Sequence, residues 1–133
     1  MIKIILMISL TTVILSAKDI VLDNETDLIW QDNSDIGRGT WSEAKEHCES
    51  LSLEGYRDWR LPNIDELMSI SDKTRYEPAI KEVFKHTKNT VYWSSTEHKN
   101  DSSQAWFVDF SNGNDSYYTK SPEEYVRCVR GGQ

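Results

Sequence analysis

Thr40-Trp41-Ser42-Glu43-Ala44-Lys45-Glu46-His47-Cys48-Glu49-Ser50-Leu51 is the stretch on which the fold turns. Thr40 with Glu43 three positions later matches a capping box, in which the hydroxyl accepts from the N3 amide and the carboxylate reaches back to the cap. Trp41, Ala44, Cys48 and Leu51 then fall on one helical face. The pattern predicts a helix over about 41–52, with Gly55 as its stop. Toward the C-terminus, Arg60-Leu61-Pro62 ends an extended piece, and Asn63 with Glu66 repeats the capping pattern. Ile64, Leu67, Met68 and Ser71 give a second, shorter helical stripe that Asp72-Lys73 ends. Ala79–Phe84 reads as one further turn with Ile80, Val83 and Phe84 inward.

The flanks of these helices are β-like. Ile20-Val21-Leu22 and Leu28-Ile29-Trp30-Gln31 are short runs separated by the turn-rich Asp23-Asn24-Glu25-Thr26-Asp27, and Gly37 and Gly39 loosen the chain before the first helix. Thr90-Val91-Tyr92-Trp93-Ser94 and Ala105-Trp106-Phe107-Val108-Asp109-Phe110 are aromatic and β-branched. Asn112-Gly113 marks a hairpin returning into Ser116-Tyr117-Tyr118-Thr119. Tyr125–Arg130 alternates as a last strand, with Tyr125, Arg127 and Val129 opposed to Val126, Cys128 and Arg130. One strand region, two helices, then several antiparallel strands make an α+β layout with segregated helices.

The chain has 133 residues, enough for one domain, and no Pro/Gly/Ser tract offers a linker to a second. Fifteen Lys and Arg stand against 22 Asp and Glu, a formal charge of −7. That balance speaks against nucleic acid, whose phosphates need a basic face, and against attachment to anionic lipid. A hydrophobic fraction of 38% is ordinary for a globular domain and excludes disorder as the default.

Met1-Ile2-Lys3 opens a short positive start, and Ile4–Leu15 is an apolar run of about twelve residues, too short to span a bilayer as a helix. It fits a secretory signal over 1–17, with Leu15-Ser16-Ala17 as an imperfect cleavage site; an uncleaved anchor is the alternative. The expected mature domain is 18–133, periplasmic or secreted, with no membrane insertion after cleavage. In an oxidising compartment two cysteines in one small domain usually pair, so Cys48 and Cys128 are expected to form a disulfide. Two buried free thiols are the alternative. Neither cysteine has companions at metal-ligand spacing, which disfavours zinc.

Several blocks in order carry a family resemblance: Gly55-Tyr56-Arg57-Asp58-Trp59-Arg60-Leu61-Pro62-Asn63, Glu66-Leu67, Tyr92-Trp93-Ser94-Ser95-Thr96, Ala105–Phe110 and Val126-Arg127-Cys128-Val129-Arg130-Gly131. Over roughly 20–131 the chain resembles the bacterial Lcl C-terminal domain-like family. That resemblance implies a C-type lectin-like fold: two helices packed on a small, mainly antiparallel twisted sheet with long loops. The lectin-like frame joins an early helix to the final strand by a disulfide, and Cys48 and Cys128 stand at those two places. Arg60-Leu61-Pro62 and Val129-Arg130-Gly131-Gly132 are also similar to the formylglycine-generating-enzyme branch of that superfold. The resemblance implies a scaffold displaying loops for binding and fixes no ligand.

Candidate ligand-binding residues are Trp93, Ser95 and Glu97, where rings, hydroxyls and a carboxylate adjoin, together with Asp109, Asn112 and Asp115 around the hairpin. Trp93 has a competing reading as core, and Trp41, Trp59 and Trp106 are expected in the core. Asp109, Asn112, Asn114 and Asp115 are oxygen-rich, but their spacing is not that of an EF-hand and the hairpin accounts for most of them, so no metal is assigned. Arg57, Asp58 and Arg60 around Trp59 suggest a structural ion-pair network. His47, His86 and His98 are scattered.

No nucleophile with a partnered base, phosphate-cradling glycine loop or hydrolytic His/Asp pairing is visible, so catalysis and cofactors are not expected. The expected function is an exported, non-catalytic binding module recognising a glycan or protein ligand. The alternative is an acidic periplasmic interaction or inhibitor protein that binds a basic partner, steered by charge.

Overall fold

The computed structural model describes residues 19–132. The expected signal segment 1–17 lies outside the described residues. The chain runs β1 (Ile20–Asp23), β2 (Leu28–Gln31), β3 (Gly37–Gly39), α1 (Trp41–Glu49), α2 (Ile64–Ser69), β4 (Val91–His98), β5 (Asp101–Asp109), β6 (Asn114–Thr119), β7 (Glu124–Val126) and β8 (Val129–Arg130). The architecture is α+β, as the element order predicts.

Both helices start where their caps require. The Thr40 hydroxyl accepts from Glu43 N–H while the Glu43 carboxylate accepts from Thr40 N–H, and Asn63 with Glu66 repeats the reciprocal pair at α2. Both helices are shorter than their apolar stripes suggest, ending at Ser50 and Ile70. Val83 is 53% exposed rather than inward, because the chain turns at Lys81–Phe84 and buries only Ile80 and Phe84.

The strands form two sheets rather than one. A three-stranded sheet has the order β1-β2-β8, and a five-stranded sheet the order β3-β7-β4-β5-β6. Gly37 to Gly39, read as a loosened connection, pairs with β7 as an edge strand. The C-terminal run is two strands, not one, because the chain leaves the larger sheet at Val126 and joins the smaller at Val129. The expected alternation therefore fails there: Val126, Arg127, Cys128 and Val129 are all buried at the crossing. Arg127 is held by Asp32, Thr87 and the carbonyls of Gln31 and His86, while Asp32 accepts from the amides of Lys85 and His86. This paired charge pins the 85–87 segment against β2.

Cys48 of α1 and Cys128 at the crossing form the disulfide, with Cα atoms 5.4 Å apart. The larger sheet has a core on each side. Trp93, Ala105 and Val126 pack with Trp41, Ala44 and the disulfide under α1. Tyr92, Val108 and Phe110 pack with Leu67 and Ile70 of α2, continuous with Trp30 and Val129 of the smaller sheet. Reciprocal backbone bonds between Arg60 and Val129 dock the Trp59–Leu61 segment beside β8.

Candidate functional site

The β5–β6 hairpin pairs Trp106 with Tyr117 and Val108 with Asp115, so these four side chains share one face of the larger sheet. α2 covers that face over Val108 and leaves it uncovered farther along. There His98, brought round by the register shifts at the end of β4, packs 4.0 Å from the Tyr117 ring centroid and 6.0 Å from Trp106. Trp106 and Tyr117 meet edge to face at 5.0 Å. Tyr117 is 42% exposed, and Trp106 and His98 are half-buried. Three rings from three strands thus make a partly exposed aromatic platform, with Asp115 on the same face.

The indole N–H groups set this ring apart. Trp41 donates to the Ser94 carbonyl at 2.9 Å, Trp93 to Gly39 at 3.2 Å and Trp59 to Tyr56 at 3.2 Å. The Trp30 N–H is buried without a partner. Trp106 alone combines a half-exposed ring with an N–H that no acceptor among the described residues takes. A buried indole normally finds an acceptor, whereas an exposed one is free for a ligand.

The residues predicted as ligand contacts do not come together. Trp93 is 1% exposed and committed to Gly39, so burial removes it from any ligand surface. Ser95 lines a polar cavity of about 270 Å³ with Lys45, Arg60 and Asn63 between the two helices. Glu97 lies 3.1 Å from Lys120 Nζ, and that ammonium sits 3.9 Å from the centroid of the Trp41 ring. Asp109 and Asn112 spend their oxygens on the turn, Asp109 Oδ1 accepting from Ser111 N–H and Asn112 Oδ1 from Asn114 N–H, both at 2.9 Å. No group of three or more His, Cys, Asp or Glu that could hold a metal occurs among the described residues. Only Asp115 reaches the aromatic face. Trp106, expected in the core, lies at its margin against the rings of His98 and Tyr117, neither of them an expected ligand contact. A two-residue turn at Asn112-Gly113 would set Trp106 opposite Thr119; the four-residue turn over 110–113 sets it opposite Tyr117 instead.

The expected structural ion-pair network beside Trp59 forms as two separate pairs, Arg60–Glu66 partly buried and Arg130–Asp58 at the surface. Arg60 forms a bidentate pair with Glu66 at 2.7 Å and donates to the Gly131 carbonyl, and Arg130 pairs with Asp58 over the Tyr56 ring. Burial acts to raise the Glu66 carboxyl, but the Arg60 guanidinium and the Asn63 amide outweigh it and hold the pKa below its ordinary value. Near β7, burial pushes Glu124 up, Arg38 opposes, and Asp109 adds to the rise. These groups shape the frame and stand apart from the aromatic platform.

No helix among the described residues is long and apolar enough to cross a membrane. No curated protein matches the chain significantly. The family model of the Lcl C-terminal domain matches residues 19–130, nearly everything described above, including both capped helices, the disulfide and the aromatic face. The chain belongs to the Lcl C-terminal domain family.

Proposed function

We propose that this protein is an exported, non-catalytic binding module of C-type lectin-like architecture that holds a glycan or protein ligand against the His98–Trp106–Tyr117 face. The observation that carries the reading is the Trp106 ring, half-buried, stacked on His98 and meeting Tyr117 edge to face, with an N–H that no acceptor among the described residues takes. Such a surface suits the C–H face of a sugar ring, a planar side chain or a cation, with the indole N–H and the Asp115 carboxylate fixing orientation. The disulfide supports export, because such bonds persist in oxidising compartments. The tie from α1 to the C-terminal crossing supports the lectin-like frame. A second reading, an acidic interaction protein for a basic partner, draws on the charge of −7.

Titration of the protein with panels of oligosaccharides and peptides, read by tryptophan fluorescence, tests this. The expected ligand loses at least about tenfold in affinity on Trp106→Ala, equivalent to roughly 1.4 kcal/mol, with the melting temperature little changed. A ligand bound equally well by Trp106→Ala and Tyr117→Ala would place the site elsewhere. N-terminal sequencing of exported material is expected to begin at Lys18.

A further inference from the structure

The two edges of the five-stranded sheet differ in how far they are protected. At one edge β3 has three residues, glycine at both ends, and Arg38 lying 4.0 Å from Glu123 and over the Tyr125 ring. Short, charged, glycine-bounded strands are how folds blunt an edge. At the other edge β6 runs six residues, Asn-Asp-Ser-Tyr-Tyr-Thr, every one exposed. Its register with β5 is unbroken from Gln104↔Thr119 to Asp109↔Asn114, with no bulge to twist it away. No Pro, Gly, Lys or Arg interrupts it. This long, regular edge offers its outward backbone groups to another strand.

The side chains say which strand. A segment laid beside β6 sends alternate residues to the face that carries Asp115, Tyr117 and Trp106. The charge on β6 is the Asp115 carboxylate, and the nearest cation along the chain, Lys120, is already engaged by Glu97 and the Trp41 ring. A Lys or Arg from the added strand would meet an exposed ring and a carboxylate that makes no ion pair among the described residues, with Lys73 set beside Gly113 at the turn rather than on Asp115. A second copy fits less well. Antiparallel self-pairing keeps like faces together, so Asp115 would face Tyr117, Thr119 or Ser121 of the copy and never its Lys120, while each chain carries −7.

We propose that the β6 edge takes up an extended, basic segment of a partner protein by strand addition, its alternate Lys or Arg side chains lying over Tyr117 and beside Asp115. This rests on the reading of the aromatic face as the binding surface and names its ligand class.

The test uses residues 18–133 and a labelled peptide alternating Thr and Lys over about eight residues, followed by fluorescence anisotropy at low salt. Two twins accompany it, one N-methylated at alternate amides and one with Glu for Lys. The parent is expected to bind, with affinity falling as salt rises. The N-methylated twin is expected to be at least about tenfold weaker, because it cannot complete the ladder, and the Glu twin should not bind. Tyr117→Ala should weaken the parent about two- to fivefold. Equal binding of parent and N-methylated twin, or of the Lys and Glu peptides, overturns strand addition. So does concentration-dependent dimerisation that Tyr117→Ala or added salt leaves intact. If no peptide binds while an oligosaccharide still quenches Trp106, the strand-addition inference falls and the binding-module reading stands. If neither binds, both fall.

Discussion

The two sides of the five-stranded sheet use the same residue types for opposite ends. Under α1, Trp41 and Trp93 are buried, their N–H groups are bonded to carbonyls, and the Cys48–Cys128 bond closes the space between helix and sheet. On the other side α2 is only six residues long and shields Val108 but not Trp106. Aromatic content therefore does not separate core from site. What separates them is exposure: Trp30, Trp41 and Trp93 are buried whether or not the N–H is bonded, whereas Trp106 keeps part of its ring and an unclaimed N–H at the surface. An indole whose N–H is satisfied internally contributes packing and direction, while one left half-exposed offers a face and a donor to something else.

Removing the covalent tie is the hardest test of that division. The bond closes 80 positions of chain, worth about 4.5 kcal/mol in the chain-entropy model. Cys48→Ala with Cys128→Ala is expected to lower stability by a few kcal/mol in urea denaturation. Because the loss acts mainly through the unfolded ensemble, any ligand of the folded aromatic face should keep its affinity wherever the variant remains folded. Affinity that collapses along with stability would show that the two sides are not separable.

The paired tryptophans sharpen the comparison at single-residue scale. Trp93→Ala empties a fully buried site and should cost about 3–5 kcal/mol. Trp106→Ala, at the margin of the sheet, should cost only about 1 kcal/mol. Binding should rank the other way, with Trp106→Ala losing the ligand and Trp93→Phe retaining it. Parallel chemical denaturation and ligand titration of the variants read both rankings, and a shared ranking would erase the distinction between the two rings.

Much of the frame was legible from residue order. Thr40/Glu43 and Asn63/Glu66 located both helix starts, because a cap is a local device whose partners lie three residues apart. Asn112-Gly113 located the β5–β6 hairpin, although the turn spans 110–113 and only Gly113 has positive φ, at 82°. The division into two sheets was not legible. Tyr125–Arg130 alternates as a single strand would, and only the distant partners Gly37 and Trp30 show that the chain changes sheets. The site was harder still. Asp109 and Asn112 look like ligands because their oxygens are plentiful, yet the turn draws one oxygen of each into its own hydrogen bonds. His98 joins Trp106 only through register shifts in β4, which no spacing rule announces.

The smallest expected effect concerns the frame alone. Glu66 carries a depressed pKa: burial would raise it, but the bidentate Arg60 and the Asn63 amide win. A carboxylate depressed in the folded state contributes stability that is fully present above its unfolded pKa, about 4.3, and is lost as pH falls through the folded value. The wild type should thus exceed Glu66→Gln in stability near pH 6, and the gap should close as pH falls through the carboxylate range. Asp58, bonded to Arg130, is depressed as well but fully exposed, so its pair is screened and Asp58→Asn should move the curve less. Thermal melts of both variants across that range, at fixed ionic strength, separate the two pairs. A Glu66→Gln deficit persisting unchanged at the acid end would assign the contribution to packing of α2 rather than to charge. Because the Glu66 carboxylate is bonded to Arg60 and the Asn63 amide and to none of the aromatic rings, ligand affinity at neutral pH should be the same for both variants.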